Sequence, residues 1–96
     1  MQKILITGVA GFIGFHLAKK LLDKKIIVIG IDNLNSYYDK KIKLERLKIL
    51  KENSKFKFIY GDLKNKSIYK KDLLKNINYI FHFAGQAGVR FSIKMP

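Results

Sequence analysis

Eight residues near the start of the chain, Thr7-Gly8-Val9-Ala10-Gly11-Phe12-Ile13-Gly14, set three glycines between two segments of different periodicity. Before them, Lys3 to Thr7 (KILIT) is a short apolar run, the pattern of a strand buried on both faces of a parallel sheet. After them, Ile13, Leu17, Ala18, Leu21 and Leu22 recur at helical spacing over Phe12 to Asp23, with Lys19, Lys20 and Lys24 falling outside. A strand that breaks at a glycine-rich turn straight into a helix admits few folds other than α/β ones. At such a junction Gly8 turns the chain off the strand, and Gly11 lets a pyrophosphate approach backbone N–H groups. Gly14 lets the helix pack close to the sheet. The helix N-terminus adds unpaired donors and partial positive charge for phosphates. The spacing is GxxGxxG rather than GxGxxG, because residue 9 is Val.

The same alternation continues. Ile26 to Ile31 (IIVIGI) reads as a second buried strand ending at Asp32, and Asn33-Leu34-Asn35-Ser36 has turn chemistry. A helix is expected from Asp39 to Lys51, with Leu44, Leu47 and Leu50 on its apolar side and Ile42 and Ile49 broadening the stripe. Phe56 to Tyr60 is a third strand, stopped by Gly61-Asp62. Ser67 caps a short helix over Ile68 to Lys75. Asn78 to Phe83 is a fourth strand ending at Ala84-Gly85, and Val89 to Lys94 is expected to open another helix. These units imply a Rossmann-like parallel sheet of strand order 3-2-1-4 with flanking helices and right-handed crossovers. Ninety-six residues hold one such domain and no second.

Asp32 lies 18 residues beyond Gly14, at the end of the second strand. A carboxylate there accepts hydrogen bonds from adenosine ribose hydroxyls and repels a 2′-phosphate, which favours NAD over NADP. The plainer alternative makes Asp32 a loop cap and the glycines ordinary turn residues. In an open parallel sheet, ligands sit beyond the carboxyl ends of the strands, at the switch between strands one and four. Asp62 and Leu63 at the end of strand three are placed to meet an adenine. Phe83, Ala84 and Gly85 end strand four, where small residues leave room for a cofactor.

The net charge of +13 suggests nucleic acid or an anionic membrane surface as partners. Against that, the cations are 18 Lys and only 2 Arg, and Arg is the usual reader of bases. The lysines (Lys19, Lys20, Lys24, Lys25, Lys40, Lys41, Lys70, Lys71) are scattered over several elements, as solvated outer faces would be. No nucleic-acid role is expected. Cysteine is absent, which excludes disulfides and thiolate metal sites, and no metal site is expected. No apolar run approaches the ~20 residues needed to span a bilayer, and no signal peptide is evident. A cytoplasmic protein is the default expectation.

The TGxxGxxG turn, Asp32, Gly61-Asp62-Leu63 and His82-Phe83-Ala84-Gly85 resemble the extended short-chain dehydrogenase/reductase superfamily of nucleotide-sugar epimerases and dehydratases. Ile31 to Asp39 (IDNLNSYYD) and Gln86-Ala87-Gly88-Val89-Arg90 are similar to stretches of UDP-glucuronate 4-epimerases, though Gly85 and Phe91 stand where that group more often shows Ala and Tyr. The resemblance implies a tightly held NAD that takes a hydride from C4 of a UDP-sugar and returns it to the other face of a 4-keto intermediate. It implies that Gly8, Gly11, Phe12, Ile13 and Gly14 hold the pyrophosphate. By the same resemblance Asp32 and Asn33 face the adenosine ribose, Asp62 and Leu63 the adenine, and Phe83, Ala84 and Gly85 the middle of the cofactor. Gln86 and Arg90 would approach the sugar nucleotide, with Arg90 suited to an anion; an arginine answering a carboxylate within the fold is the alternative. A homodimer is implied for the full-length protein.

The family's chemistry further implies a Ser or Thr and a Tyr general base with a Lys four residues later on one helix face. Tyr37 to Lys41 and Tyr60 to Lys64 have that spacing, but the family's pair follows a fifth parallel strand. Residues 1–96 are therefore read as the N-terminal part of the NAD-binding domain, with no catalytic residue among them. His16 and His82 have no carboxylate or hydroxyl partner at a telling spacing and read as packed or solvated. The outer edge of strand four would lack a neighbour, so the chain by itself is expected to be marginally stable or prone to associate. The other readings are a UDP-glucose 4-epimerase, a sugar-nucleotide 4,6-dehydratase, and a non-catalytic dinucleotide-binding module.

Overall fold

Strands two to four each pair as a parallel Rossmann-like sheet demands. A computed structural model describes residues 2–34, 40–61, 75–83 and 90–93, the last four by their backbone. Its elements are β1 (Lys3–Thr7), α1 (Phe12–Asp23), β2 (Ile27–Asp32), α2 (Lys40–Lys51), β3 (Phe56–Tyr60), β4 (Tyr79–His82) and β5 (Arg90–Ile93). The sheet runs β3-β2-β1-β4-β5. β1 is parallel to both β2 and β4, and β2 is parallel to β3, which is the expected order 3-2-1-4. The expected helix over Ile68 to Lys75 falls almost wholly outside the described residues.

One element differs in kind. Val89 to Lys94 is expected as a helix, yet Arg90–Ile93 forms β5, antiparallel to β4 with Tyr79 opposite Ile93 and His82 opposite Arg90. Arg90-Phe91-Ser92-Ile93 alternates polar and apolar residues, the period of a strand. The edge of β4 offers backbone donors and acceptors that such a segment satisfies. The outer edge of β4 is therefore paired, contrary to the expectation of an open one.

Strand alternation divides the core in two. Ile4, Ile6, Val28 and Phe56 face α1 and α2, packing with Val9, Ala10, Phe15, Ala18, Leu22, Leu47 and Leu50. Leu5, Ile29, Ile31 and Ile59 face the other way, with Ile77. The helical stripes are narrower than the sequence suggests. Ile13 is exposed, because the first turn of α1 stands beyond the end of the sheet, and Phe15 takes the core place instead. On α2 only Leu47 and Leu50 are buried; Ile42, Leu44 and Ile49 point to solvent. Lys19, Lys20, Lys24, Lys25, Lys40 and Lys41 are exposed, as outer helix faces should be, while Lys70 and Lys71 lie outside the described residues. Among the described residues no helix is long and apolar enough to cross a membrane.

Gly30, inconspicuous within IIVIGI, is the strand position that lets the turn settle on the sheet. A Cβ there would stand 2.7 and 2.9 Å from the Val9 methyls and 3.0 Å from the Phe56 ring. Val9 is fully buried and β-branched, so it has nowhere to move. Gly30→Ala is expected to cost about 2 kcal/mol by overpacking, read as a lower urea midpoint at unchanged slope.

Candidate functional site

The glycine-rich turn is fixed first by its own backbone. Gly8 has φ 70°, a left-handed conformation that glycine adopts without penalty. That bend aims the amides of Gly8 and Val9 at the Ile31 carbonyl of β2, at 2.8 and 3.3 Å. The Gly11 amide donates back to the Gly8 carbonyl at 3.0 Å, and the Phe15 amide donates to Gly11 at 2.9 Å. The Phe15 bond opens the ladder of α1, so the amides of Phe12, Ile13 and Gly14 precede it and are the helix's orphan donors. Gly11, at the N-cap, brings no side-chain cap, and the first turn holds no acidic residue. Among the described residues no side chain caps this helix end, which suits an incoming anion.

The third glycine acts on the turn more than on the sheet. A Cβ on Gly14 would lie 2.5 Å from the Gly8 carbonyl oxygen and 3.0 Å from the Val9 Cα. Gly11 is less tightly held, since its Cβ would meet only the Gly8 oxygen at 3.3 Å.

Asp32 ties β2 to this turn. The residue is 4% exposed; Oδ2 accepts the Ala10 amide at 3.0 Å and Oδ1 accepts the Leu34 amide at 2.7 Å. The loop-capping role is thus realised. A carboxylate offers about four acceptor positions, so two amides do not exhaust it. Gly8, Gly11, Phe12, Ile13, Gly14 and Asp32 are therefore brought together, and exposed Asn33 adjoins them.

Two cations on α2 belong to the same place, and the sequence reading passed over both. Lys43 Nζ stands 3.6 Å from Asp32 Oδ1. Arg46 donates to the Ala10 carbonyl at 3.0 Å, and its guanidinium lies 5.9 Å from the Phe12 ring centroid. Their i, i+3 spacing on the helix after Asp32 is a legible signal. Seventeen other lysines obscured it.

The ends of β1 and β4 are joined at the expected crevice. Thr7 Oγ1 is 2.6 Å from His82 Nδ1 and accepts the Phe83 amide at 3.1 Å. His82 therefore has a hydroxyl partner, contrary to expectation: the parallel register sets Thr7 beside His82, although 75 residues separate them. Phe83, half-buried, sits next to this joint. Asp62, Leu63, Ala84, Gly85 and Gln86 lie outside the described residues, and Arg90 is placed by its backbone in β5. Tyr60 ends β3, so no helix carries it toward Lys64. Among the described residues no three metal-binding side chains gather. What is assembled is a helix end with orphan amides and a carboxylate acceptor beside it.

The family model described as GDP-mannose 4,6-dehydratase matches residues 5–96. A probable UDP-glucuronate 4-epimerase of Rhizobium meliloti is 41% identical over 96 residues, which is 99% of this chain and 28% of that protein. The crystal structure of UDP-glucuronic acid 4-epimerase from Bacillus cereus, in complex with UDP-glucuronic acid and NAD, is 38% identical. It superposes with a TM-score of 0.76 over 85% of this chain and 26% of its own. UDP-glucose 4-epimerase from Bifidobacterium longum, in complex with NAD+ and UDP, is 32% identical with a TM-score of 0.67, over 88% of this chain and 25% of its own. The chain thus spans less than a third of the length of these relatives.

Proposed function

This chain belongs to the GDP-mannose 4,6-dehydratase family of NAD-dependent epimerases and dehydratases, and we propose that it is the NAD-binding portion of a UDP-glucuronate 4-epimerase. The observation that carries the NAD-binding part of this reading is the Ala10–Asp32 hydrogen bond, which sets an uncapped helix end beside the acid of the second strand. The likeness to UDP-glucuronate 4-epimerases supports the choice of sugar. The residues fit a dinucleotide: Gly14 and Gly11 leave close backbone approach where a Cβ would intrude, and the orphan amides match a pyrophosphate.

In this reading Gly8, Gly11, Phe12, Ile13 and Gly14 hold the pyrophosphate. Asp32 and Asn33 serve the ribose, Asp62 and Leu63 the adenine, and Phe83, Ala84 and Gly85 the middle of the cofactor. Gln86 and Arg90 lead toward the UDP-sugar. NAD, when bound, supplies reversible hydride acceptance at the sugar carbon. This chain's own residues bind and orient it, and proton transfer is assigned to the remainder of the full-length protein. A cytoplasmic homodimer is part of the same reading. UDP-glucose 4-epimerase is the second reading, supported by the likeness to the Bifidobacterium longum enzyme.

Titration of the chain with NAD and with duplex DNA across a salt series tests the proposal. Saturable NAD binding that salt barely weakens is expected. DNA binding that falls steeply with salt, without NAD binding, would overturn it.

A further inference from the structure

We propose that Arg46 is a positioning residue for the pyrophosphate: from α2 it fixes the Ala10–Gly11 peptide, and so sets the aim of the α1 amides that follow. The inference rests on the NAD reading above and adds a residue on a helix that the glycine motif does not include.

Arg46 reaches the residues on both sides of Gly11. Its Nη1 donates to the Ala10 carbonyl at 3.0 Å, and its guanidinium carbon stands 5.9 Å from the Phe12 ring centroid. A guanidinium is a flat fork of five donors, able to serve a carbonyl and an aromatic ring at once. The Phe12 ring also meets His16, at 4.6 Å between centroids, so it is a held partner although 66% exposed.

The effect on the backbone follows from peptide geometry. A trans peptide is planar, so its oxygen and its N–H point opposite ways. With the Ala10 oxygen held by Arg46, the Gly11 N–H is aimed at the Gly8 carbonyl, to which it donates at 3.0 Å. Gly11 has no side chain to resist rotation of this peptide, so a hold from another element counts most here. The amides of Phe12, Ile13 and Gly14 come directly after it. Release the Ala10 oxygen, and the start of α1 loses the restraint that gives those amides one common direction.

The test combines hydrogen exchange of the ligand-free chain with calorimetric titration by ADP and NAD. Arg46→Met keeps an apolar stem and removes the fork. Gly11 amide exchange should speed up about tenfold more than that of the Ile29 amide, in the buried middle of β2, which reports general loosening. ADP and NAD should both bind about tenfold more weakly, the worth of one hydrogen bond from a charged donor. Gly11 exchange that rises no more than Ile29 exchange would overturn the inference, even with weaker binding, since Arg46 would then act on the phosphates directly or through overall stability. Faster Gly11 exchange at unchanged nucleotide affinity would overturn it and leave the NAD reading standing. Failure of wild type to bind either nucleotide would overturn both. Should Arg46→Met not fold, Arg46→Lys decides. Its ammonium has no flat face for the ring, so Gly11 exchange is again selectively faster, and exchange equal to wild type refutes the inference.

Discussion

Gly14→Ala is expected to unfold much of the population at ambient temperature, or at least to lower stability by about 3 kcal/mol, and to abolish NAD binding with it. The added methyl would sit 2.5 Å from the Gly8 carbonyl oxygen and 3.0 Å from the Val9 Cα, both backbone atoms of a turn pinned to β2. No rotamer change relieves that overlap. Either α1 moves away from the turn or the turn leaves Ile31, and each opens the core around Val9 and Phe15. A domain of this size is held by roughly 5–14 kcal/mol in all, so the loss is a large share of the total. Gly11→Ala is the informative contrast. Its methyl meets only one oxygen at 3.3 Å, and φ there is an ordinary −73°. Stability should fall by less than about 1 kcal/mol, while NAD affinity falls tenfold or more because the methyl stands where the pyrophosphate approaches. A urea melt beside an NAD titration separates the two effects. Equal stability loss in both variants would show that the turn gives way more easily than its contacts indicate.

The second large effect is at Asp32. Asp32→Ala leaves the buried Ala10 amide and the part-buried Leu34 amide without these acceptors, and removes the carboxylate 3.6 Å from Lys43 Nζ. An unmet buried donor costs about 1–3 kcal/mol, and water reaches the Leu34 side more readily, so a total near 3 kcal/mol is expected. Asp32→Asn keeps one acceptor oxygen and should lose about half as much. Thermal melts of the two variants check the order. If alanine and asparagine were equally mild, the carboxylate would not be what holds the turn.

How much of this was legible beforehand follows from how local each signal is. Lys3–Thr7, Phe12–Asp23 and Phe56–Tyr60 have the bounds that their patterns predict, because apolar periodicity and the bounding glycines act within a few residues. The order 3-2-1-4 followed from crossover handedness and strand spacing. Ile13, Leu44, Ile42 and Ile49 misled, since a helical stripe says which residues share a face, not how much of that face the sheet covers. Val89 to Lys94 misled for a different reason: whether RFSI becomes strand or helix depends on the open edge of β4, which no window of its own sequence contains. The glycines and Asp32 announced the site through spacing. Lys43, Arg46 and the Thr7–His82 contact did not, because each reaches its partner only after distant elements have docked.

The grip on Ala10 has a consequence for where the glycine motif can function. Its amide is held by Asp32, 22 residues away, and its carbonyl by Arg46, 36 residues away. A peptide ending at Asp23 would carry all three glycines and the whole of α1, yet neither grip. The motif is therefore not a portable cassette. Transplanted onto another strand and helix without an acid at the next strand's end and an arginine on the helix after it, the same eight residues would lack what sets their shape.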